Sequence, residues 1–523
     1  MLERALENWL TSTNERNYQV PFCQALTGLG YDVIHVSSHG QLEQGKDVIA
    51  INPDGSYVAY QLKTGNIDLG QWRNIKGEIH DLIELPIVHP SINPISTHAA
   101  CLVTNGRVTD PVRQQIVQIN EDNQKKGRNY AYLSIIQREE LLRMLLAAQE
   151  NIVPLELEDF DAFLKFYLSD GTEFFDKNLF AQFLFRTFHE KQFQKVSDRA
   201  NAFAGSVVLT ASLLDKFQRR KNYYSEFEAW VTLRAFLKWL GQRWSISTRL
   251  VERTLRLLDL QIIRQLTDLK EEILSRSDFF EGDILGDGGP VYAARKMLVL
   301  GAISALELHR LRAEKGYCID LRVVEMIRKS LPIELICESM VPHLLSLMWL
   351  LEKVADTEIA PSIPRFILTE ILTQNHPDQD MGLPDPYYSP EDVLLAAYSG
   401  DCEKVNFRGF SGSSYVLESM IHVLVRRNQR DVLEKAWRRL SHIHLQTFVP
   451  DHIEDFWLWR AEKGVDRTDF LHAPESWARL KDEAHNIKDV PPGLRDEAAF
   501  LYLFLLVFPH RLSTYSIKAI DIP

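Results

Sequence analysis

Asp47, Gln61 and Lys63 are an acid, an amide and an amine, and the chain between them dictates how they meet. Two β-rich runs, Lys46-Asp47-Val48-Ile49-Ala50-Ile51 and Tyr57-Val58-Ala59-Tyr60-Gln61-Leu62-Lys63, flank Asn52-Pro53-Asp54-Gly55-Ser56. A turn of that composition folds such runs back as an antiparallel hairpin. Pairing Ile51 with Tyr57 then sets Asp47 opposite Gln61, with Cβ atoms roughly 5 Å apart. Because side chains alternate along a strand, Gln61 and Lys63 share a face with Tyr57 and Ala59, while Val58, Tyr60 and Leu62 point the other way. An acid and an amide so placed can hold one hard divalent cation through oxygen, with the Leu62 carbonyl as a further donor. An amine beside them suits phosphodiester hydrolysis, which needs an oriented water and neutralisation of the charge that builds on the phosphate oxygens.

The elements around the hairpin form a consistent frame. Tyr18 to Leu29 has the spacing of an amphipathic helix ending at Gly30, and Tyr31-Asp32-Val33-Ile34-His35-Val36 reads as a strand. After Lys63 come a helix from Leu69 to Glu84, an apolar strand Ala99 to Val103 closing on Thr104-Asn105-Gly106, a helix from Asp110 to Lys125, a strand Tyr130 to Ile135 and a helix Arg138 to Ala148. That order predicts an α/β sandwich over residues 1–150.

Gly45-Lys46-Asp47 followed by a hairpin ending in Gln61-Leu62-Lys63 resembles the PD-(D/E)XK nuclease superfamily, and within it the Mrr-like restriction endonucleases, where Gln often replaces the acid of the third motif. The likeness covers one domain; the opening "helix, Gly-Tyr, strand" and a strand ending in Thr-Asn belong to the same pattern. It implies a restriction-endonuclease-like α/β fold and cleavage of DNA with Mg2+ or Mn2+ held by Asp47, Gln61 and the Leu62 main chain, with Lys63 as the catalytic amine. The first helix of the family often adds an acid or Gln; Glu15 and Gln19 are the candidates here, and Gln19 fits the distance to Gly30-Tyr31 better. The literal Pro53-Asp54 sits in the turn and points away from the site. A nuclease needs restraint, so by analogy the resemblance implies a regulated bacterial antiviral effector.

The 523 residues suffice for two to four domains, and 45% apolar with 25% charged residues describes a globular chain. Five scattered cysteines lack the paired spacing of a zinc site or disulfide framework, and together with a start that lacks a signal-peptide pattern they fit a cytoplasmic protein. The longest apolar run, Ala498 to Phe508, is too short to span a bilayer and reads as a buried helix, so no membrane partner is expected. A formal net charge of -12 opposes nucleic-acid binding as a bulk property, although local potential can differ. Basic clusters occur at Arg219-Arg220-Lys221, at Arg243, Arg249 and Arg253, and from Arg426 to Arg439; each reads first as a solvated helix face and second as a DNA track. His35 and His39 flank a loop where a metal or proton-transfer role competes with plain solvent contact. Trp72 packs on the sheet or, with Arg73, clamps a backbone.

Beyond Asn151 the periodicity turns helical, in Glu226 to Leu240, Thr248 to Leu274, Val291 to Arg312, Ser339 to Val354 and Ser414 to Leu440. The Gly-rich stretch 281–290 reads as a loop, and the Pro-rich stretch Asn375 to Pro390 marks a boundary, giving helical domains 151–375 and 376–523 of a large all-α region. No Gly-x-x-x-x-Gly-Lys-Ser/Thr loop is present, so a protein partner is expected to supply any ATPase or sensing activity, and the helices serve access control, homo-oligomerisation or partner recognition. Two other functions share the same residues: a catalytically inactive nuclease-fold scaffold or nucleic-acid-binding subunit, and an RNA-cleaving enzyme.

Overall fold

The structure, a computed structural model, describes every residue except 1, 38–44, 90–91, 93–96, 129–130, 150–156, 190–192, 194, 277–288, 331–333, 377, 379–380, 400–404, 406, 462, 471–475 and 522–523. It divides into two compact units, residues 1–262 and 263–523.

In the first unit α1 (Leu2–Ser12) and α2 (Glu15–Gly28) lead into β1 (Asp32–Val36), β2 (Val48–Ile51) and β3 (Tyr57–Lys63), followed by α3 (Leu69–Glu84), β4 (His98–Thr104), α4 (Asp110–Lys125), β5 (Leu133–Ile136) and α5 (Arg138–Gln149). The five strands form one mixed sheet in sequence order, antiparallel from β1 to β3 and parallel from β3 to β5. Helical crossovers through α3 and α4 are what parallel neighbours require. In the hairpin Ile51 pairs with Tyr57 and Val48 with Tyr60, the register expected from the turn. Gly55, at φ +89°, supplies the left-handed residue of that turn, and Asp54 Oδ1 accepts from the Ser56 N–H at 2.8 Å and its hydroxyl at 2.6 Å, so this acid is spent on the turn.

Asp68 caps α3 by accepting from the Gln71 N–H, and the stripe Trp72, Ile75, Ile79 and Leu82 then packs on the sheet face carrying Ile49, Ala59 and Leu102. On the other face α2 brings Phe22 edge-on to Tyr60, ring centroids 5.3 Å apart. Trp72 is a core residue and Arg73 is exposed, which settles the choice for Trp72 in favour of packing.

The division at residue 262 does not coincide with the boundaries expected near 150 and 375. The first unit continues through α6 (Leu157–Leu168), α7 (Lys177–Leu184), α8 (Val196–Leu213), α9 (Asp215–Arg220) and α10 (Tyr223–Arg243) into α11 (Thr248–Ser275). α8 packs on both α2 and α5, and Thr254 of α11 donates its hydroxyl to Gln24 Oε1 of α2 at 3.3 Å, so helices beyond residue 150 cover the sheet's own helices.

The second unit is mostly helical, with the buried helices Val341–Lys353 and Ala498–Val507 at its core. It is not wholly so: β6 (Ser413–Ser414), β7 (His444–Pro450) and β8 (Gly464–Phe470) form a three-stranded sheet. The helix expected over Ser414 to Leu440 is two helices, Leu417–Arg426 and Arg430–Leu440, because Asn428 adopts a left-handed φ of 55° between them. The Gly-rich break at 281–290 lies almost entirely outside the described residues. Among the described residues no helix is long and apolar enough to cross a membrane.

Glu307 is fully buried in the second unit and is held by Lys270 Nζ at 3.0 Å, the Tyr317 hydroxyl at 2.9 Å and the Asp320 N–H at 2.9 Å. Deleting one side of a buried ion pair strands the other charge. Lys270→Ala is therefore expected to lower unfolding stability by about 3 kcal/mol, measured by denaturant titration, whereas Lys329→Ala, at an exposed pair with Glu325, should change it by less than about 1 kcal/mol. Glu338, buried and accepting from the Ser414 hydroxyl and Tyr415 N–H, has its carboxyl raised to about 8 from 4.5 by desolvation. A raised carboxyl stabilises the fold below 4.5, and that contribution is lost as pH climbs through 8. Glu338→Gln should flatten the decline in stability across that window, read from melts at pH 5, 7 and 8.5.

Candidate active site

β3 outruns β2 by three residues, Gln61, Leu62 and Lys63, so this end of the strand has no β2 ladder partner. Asp47 fills the gap. Its N–H donates to the Tyr60 carbonyl at 2.9 Å, continuing the ladder, and its Oδ2 accepts from the Leu62 N–H at 2.7 Å and from Gln61 Nε2 at 2.9 Å. The preceding Gly45 stands at φ +71°, where a Cβ would come within 2.5 Å of the Glu78 carbonyl, so the bend that delivers Asp47 needs glycine.

Asp47 is 8% exposed and Gln61 4%. With its amide nitrogen given to Asp47, Gln61 Oε1 is buried and has no hydrogen-bond partner among the described residues. A buried acceptor left unpaired costs roughly 1–3 kcal/mol, so the site has an oxygen in search of a proton or a cation. Lys63 shares the face of Gln61 and lies 2.7 Å from Glu78 Oε2 of α3. Glu78 is about half exposed, so this pair is weak and reversible.

From the opposite side the Tyr18 hydroxyl donates to the Lys63 carbonyl at 2.8 Å. Burial drives the Tyr18 hydroxyl pKa well up, and the nearby carboxylates of Glu15 and Asp47 add to it, so Tyr18 stays protonated as a donor. Gln19 is buried and reaches the Ser37 and Asp47 carbonyls through Nε2, both at 3.4 Å. Thr104 donates its hydroxyl to the Gly65 carbonyl at 2.6 Å; Asn105 Oδ1 accepts from the Gly65 N–H at 2.7 Å, and its Nδ2 donates to the Leu10 and Thr13 carbonyls at 2.8 Å each.

The structure thus brings Asp47, Gln61 and Lys63 to one strand end. Gln19 touches main-chain oxygen of Asp47 rather than its carboxylate, and Glu15 enters through its field at Tyr18. Leu62 meets Asp47 by its N–H. Two residues that sequence reasoning did not single out belong here, Glu78 and Tyr18, beside Asn105 of the Thr-Asn strand end. Tyr18 carried a usable signal, being next to Gln19 on a helix whose apolar face must meet the sheet; Glu78 carried none, since its reach to Lys63 depends on where α3 sits along the strands. His35 is half-buried, its ring edge-on to His89 at 6.1 Å, and His39 lies outside the described residues. Desolvation lowers the Lys46 amine to about 8; it donates to the Asp81 carbonyl at 3.2 Å.

Among the described residues no three His, Cys, Asp or Glu side chains are grouped to hold a metal. A cation here would rest on one carboxylate and neutral oxygens. That donor set fits a hard ion, with the unpaired Gln61 Oε1 as its clearest sign. No family model matches the chain, and no curated protein or solved structure is significantly similar to it.

Gln61→Glu would set a second carboxylate against Asp47 and replace the 2.9 Å hydrogen bond by like-charge repulsion. The variant should melt several degrees below the wild type in EDTA and gain more than the wild type on addition of millimolar Mg2+ or Mn2+ in a thermal-shift series. Equal metal-induced shifts in the two proteins would speak against a cation at this position.

Proposed function

We propose that the chain is a divalent-metal-dependent endonuclease that hydrolyses phosphodiester bonds of DNA, with its mixed-sheet portion a nuclease fold of the PD-(D/E)XK type. The observation that carries this reading is the convergence of Asp47, Gln61 and Lys63 at the overhanging end of β3, with Gln61 Oε1 buried and unpaired. Asp47, Gln61 Oε1 and the Leu62 carbonyl would hold Mg2+ or Mn2+, which when bound would supply charge neutralisation on the phosphate and a more acidic water.

The protein's own residues supply the rest. Asp47, fixed by two donors, offers a carboxylate whose direction is set before substrate arrives. Gln61 contributes oxygen without charge, so affinity for the cation leans on the phosphates of the substrate. Lys63 exchanges Glu78 for a phosphate oxygen and positions the attacking water, its stem anchored at the main chain by Tyr18. Control by a sensing or ATP-hydrolysing partner in antiviral defence belongs to the same reading.

A second reading has one observation in its favour: the Gln61 amide presents its nitrogen to Asp47, a self-satisfied hydrogen bond that also suits an inactive scaffold or binding subunit. Cleavage of plasmid, single-stranded DNA and RNA in Mg2+ and Mn2+ decides. Wild type should cut DNA, and Lys63→Ala and Asp47→Ala should each lose at least about a hundredfold in rate, the loss expected on removing one stabiliser of transition-state charge. Identical behaviour of wild type and Lys63→Ala would establish the non-catalytic reading, and cleavage confined to RNA would reassign the substrate.

A further inference from the structure

The outer edge of β1 faces α11 across an open cleft of about 510 Å³. One wall is the strand itself, from Val33 to Val36, and the other carries Arg249, Arg253 and Arg256. Spacings of four and three residues put these guanidiniums on one face of the helix. His35, His89 and the apolar Ile51, Leu257 and Leu260 complete the lining, and among the described residues no acid lines it.

The charge is undercompensated. Asp32, at the start of β1, pairs with both Arg249 and Arg253, and among the described residues Arg256 makes one hydrogen bond, to the Glu252 carbonyl at 3.4 Å, and no ion pair. Three guanidiniums against one carboxylate leave a formal +2 in a chain whose total is -12. Burial and the neighbouring Arg256 both push the Arg253 guanidinium pKa down, as expected where positive charges crowd. An arrangement that served only to staple α11 to the sheet edge would need Arg249 and Arg253 but not Arg256.

The position of the cleft connects it to the strand end described above. Val36 lines the cleft, and the next residue, Ser37, donates its N–H to the Asp47 carbonyl at 2.7 Å. Arg249 to Arg256 spans about 10 Å of helix, and successive phosphates advance about 3.4 Å along one strand of a duplex. The arginine face therefore matches roughly three nucleotide steps. Multiple planar donors in a row are the recurrent means of holding phosphodiester oxygens without reading bases.

We infer that this cleft binds the phosphodiester backbone of a DNA strand and leads it along β1 to the Asp47 site. The inference rests on the proposed nuclease reading for the identity of its ligand, yet binding can be measured with no cleavage taking place. The assay is fluorescence anisotropy of a labelled DNA duplex with the full chain in EDTA, over 50 to 300 mM salt. Arg256→Ala, which breaks no ion pair, should weaken binding five- to tenfold and reduce the slope of log affinity against log salt by about 0.9, one phosphate contact. Asp32→Asn should tighten binding, and Lys125→Ala on α4, exposed and outside the cleft lining, should leave it unchanged.

Unaltered affinity and slope in Arg256→Ala, or no DNA binding by the wild type, overturns the proposal. So does tighter binding of an RNA of the same sequence, or displacement of the DNA by millimolar inorganic phosphate or a mononucleotide, which would make the cleft a small-ligand site. A protein that binds DNA through Arg256 but cuts nothing in Mg2+ or Mn2+ loses the catalytic reading and keeps this one.

Discussion

The hydrogen bond from the Leu62 N–H to Asp47 Oδ2 is the constraint on which the site depends. Where β3 runs past the end of β2, its backbone would meet nothing on that side, and a buried N–H without an acceptor is costly. A short acid directly after a left-handed glycine supplies the acceptor from a side chain. The same oxygen then fixes the Gln61 amide, and Lys63 inherits its direction from a strand end that would otherwise fray. The placement of these side chains and sheet integrity are thus one requirement at this position, and the two donated hydrogen bonds offset the cost of burying the carboxylate.

Charge elsewhere follows a different logic. Several of the basic residues that stand out in the sequence are consumed internally: Arg219 by Asp215, Arg426 by Asp521, Arg427 by Glu352 and Asp521, Arg430 by Glu434. The Arg426 and Arg427 pairs tie their helix to neighbouring segments, the Arg219 and Arg430 pairs lie within single helices, and all of them offset positive charge locally. The face of α11 that turns to β1 differs because its cations outnumber the carboxylate that meets them. An acidic protein can carry a local positive site in this way, since its remaining surface charge is screened within about 10 Å by salt.

The hairpin was legible because three local rules agreed: alternation in both runs, a turn built of Asn, Pro, Asp and Gly, and equal counts from the turn to Asp47 and to Gln61. α3 and α4 were legible to the residue through their caps and stripes, Asp68 before one and Pro111 in the first turn of the other. Long-range pairings were not. Glu78 against Lys63 and Asn105 against α1 are set by how helices lie on the sheet, about which periodicity is silent. β7 and β8 escaped because His444–Pro450 and Gly464–Phe470 are half-solvated and mixed in polarity, without the alternation that marks a strand packed on a core. Asn428 was missed as a helix break because apolar residues recur at three- and four-residue spacing on both sides of it. The extent of the first unit was hidden too, since α8 looks like any amphipathic helix until it is seen lying on α2 and α5.

Asn105 has a consequence for the amino terminus. Its single amide closes on two carbonyls at the end of α1 and on the N–H just beyond Lys63, so the leading dozen residues are a splint for the end of β3 rather than an appendage. A protease nick or an engineered start after Thr13 would leave that amide's two hydrogens facing empty space at the far end of β4. The turn at Gly65 that follows Lys63 would lose its brace, so the first helix bears from a distance on where that amine sits.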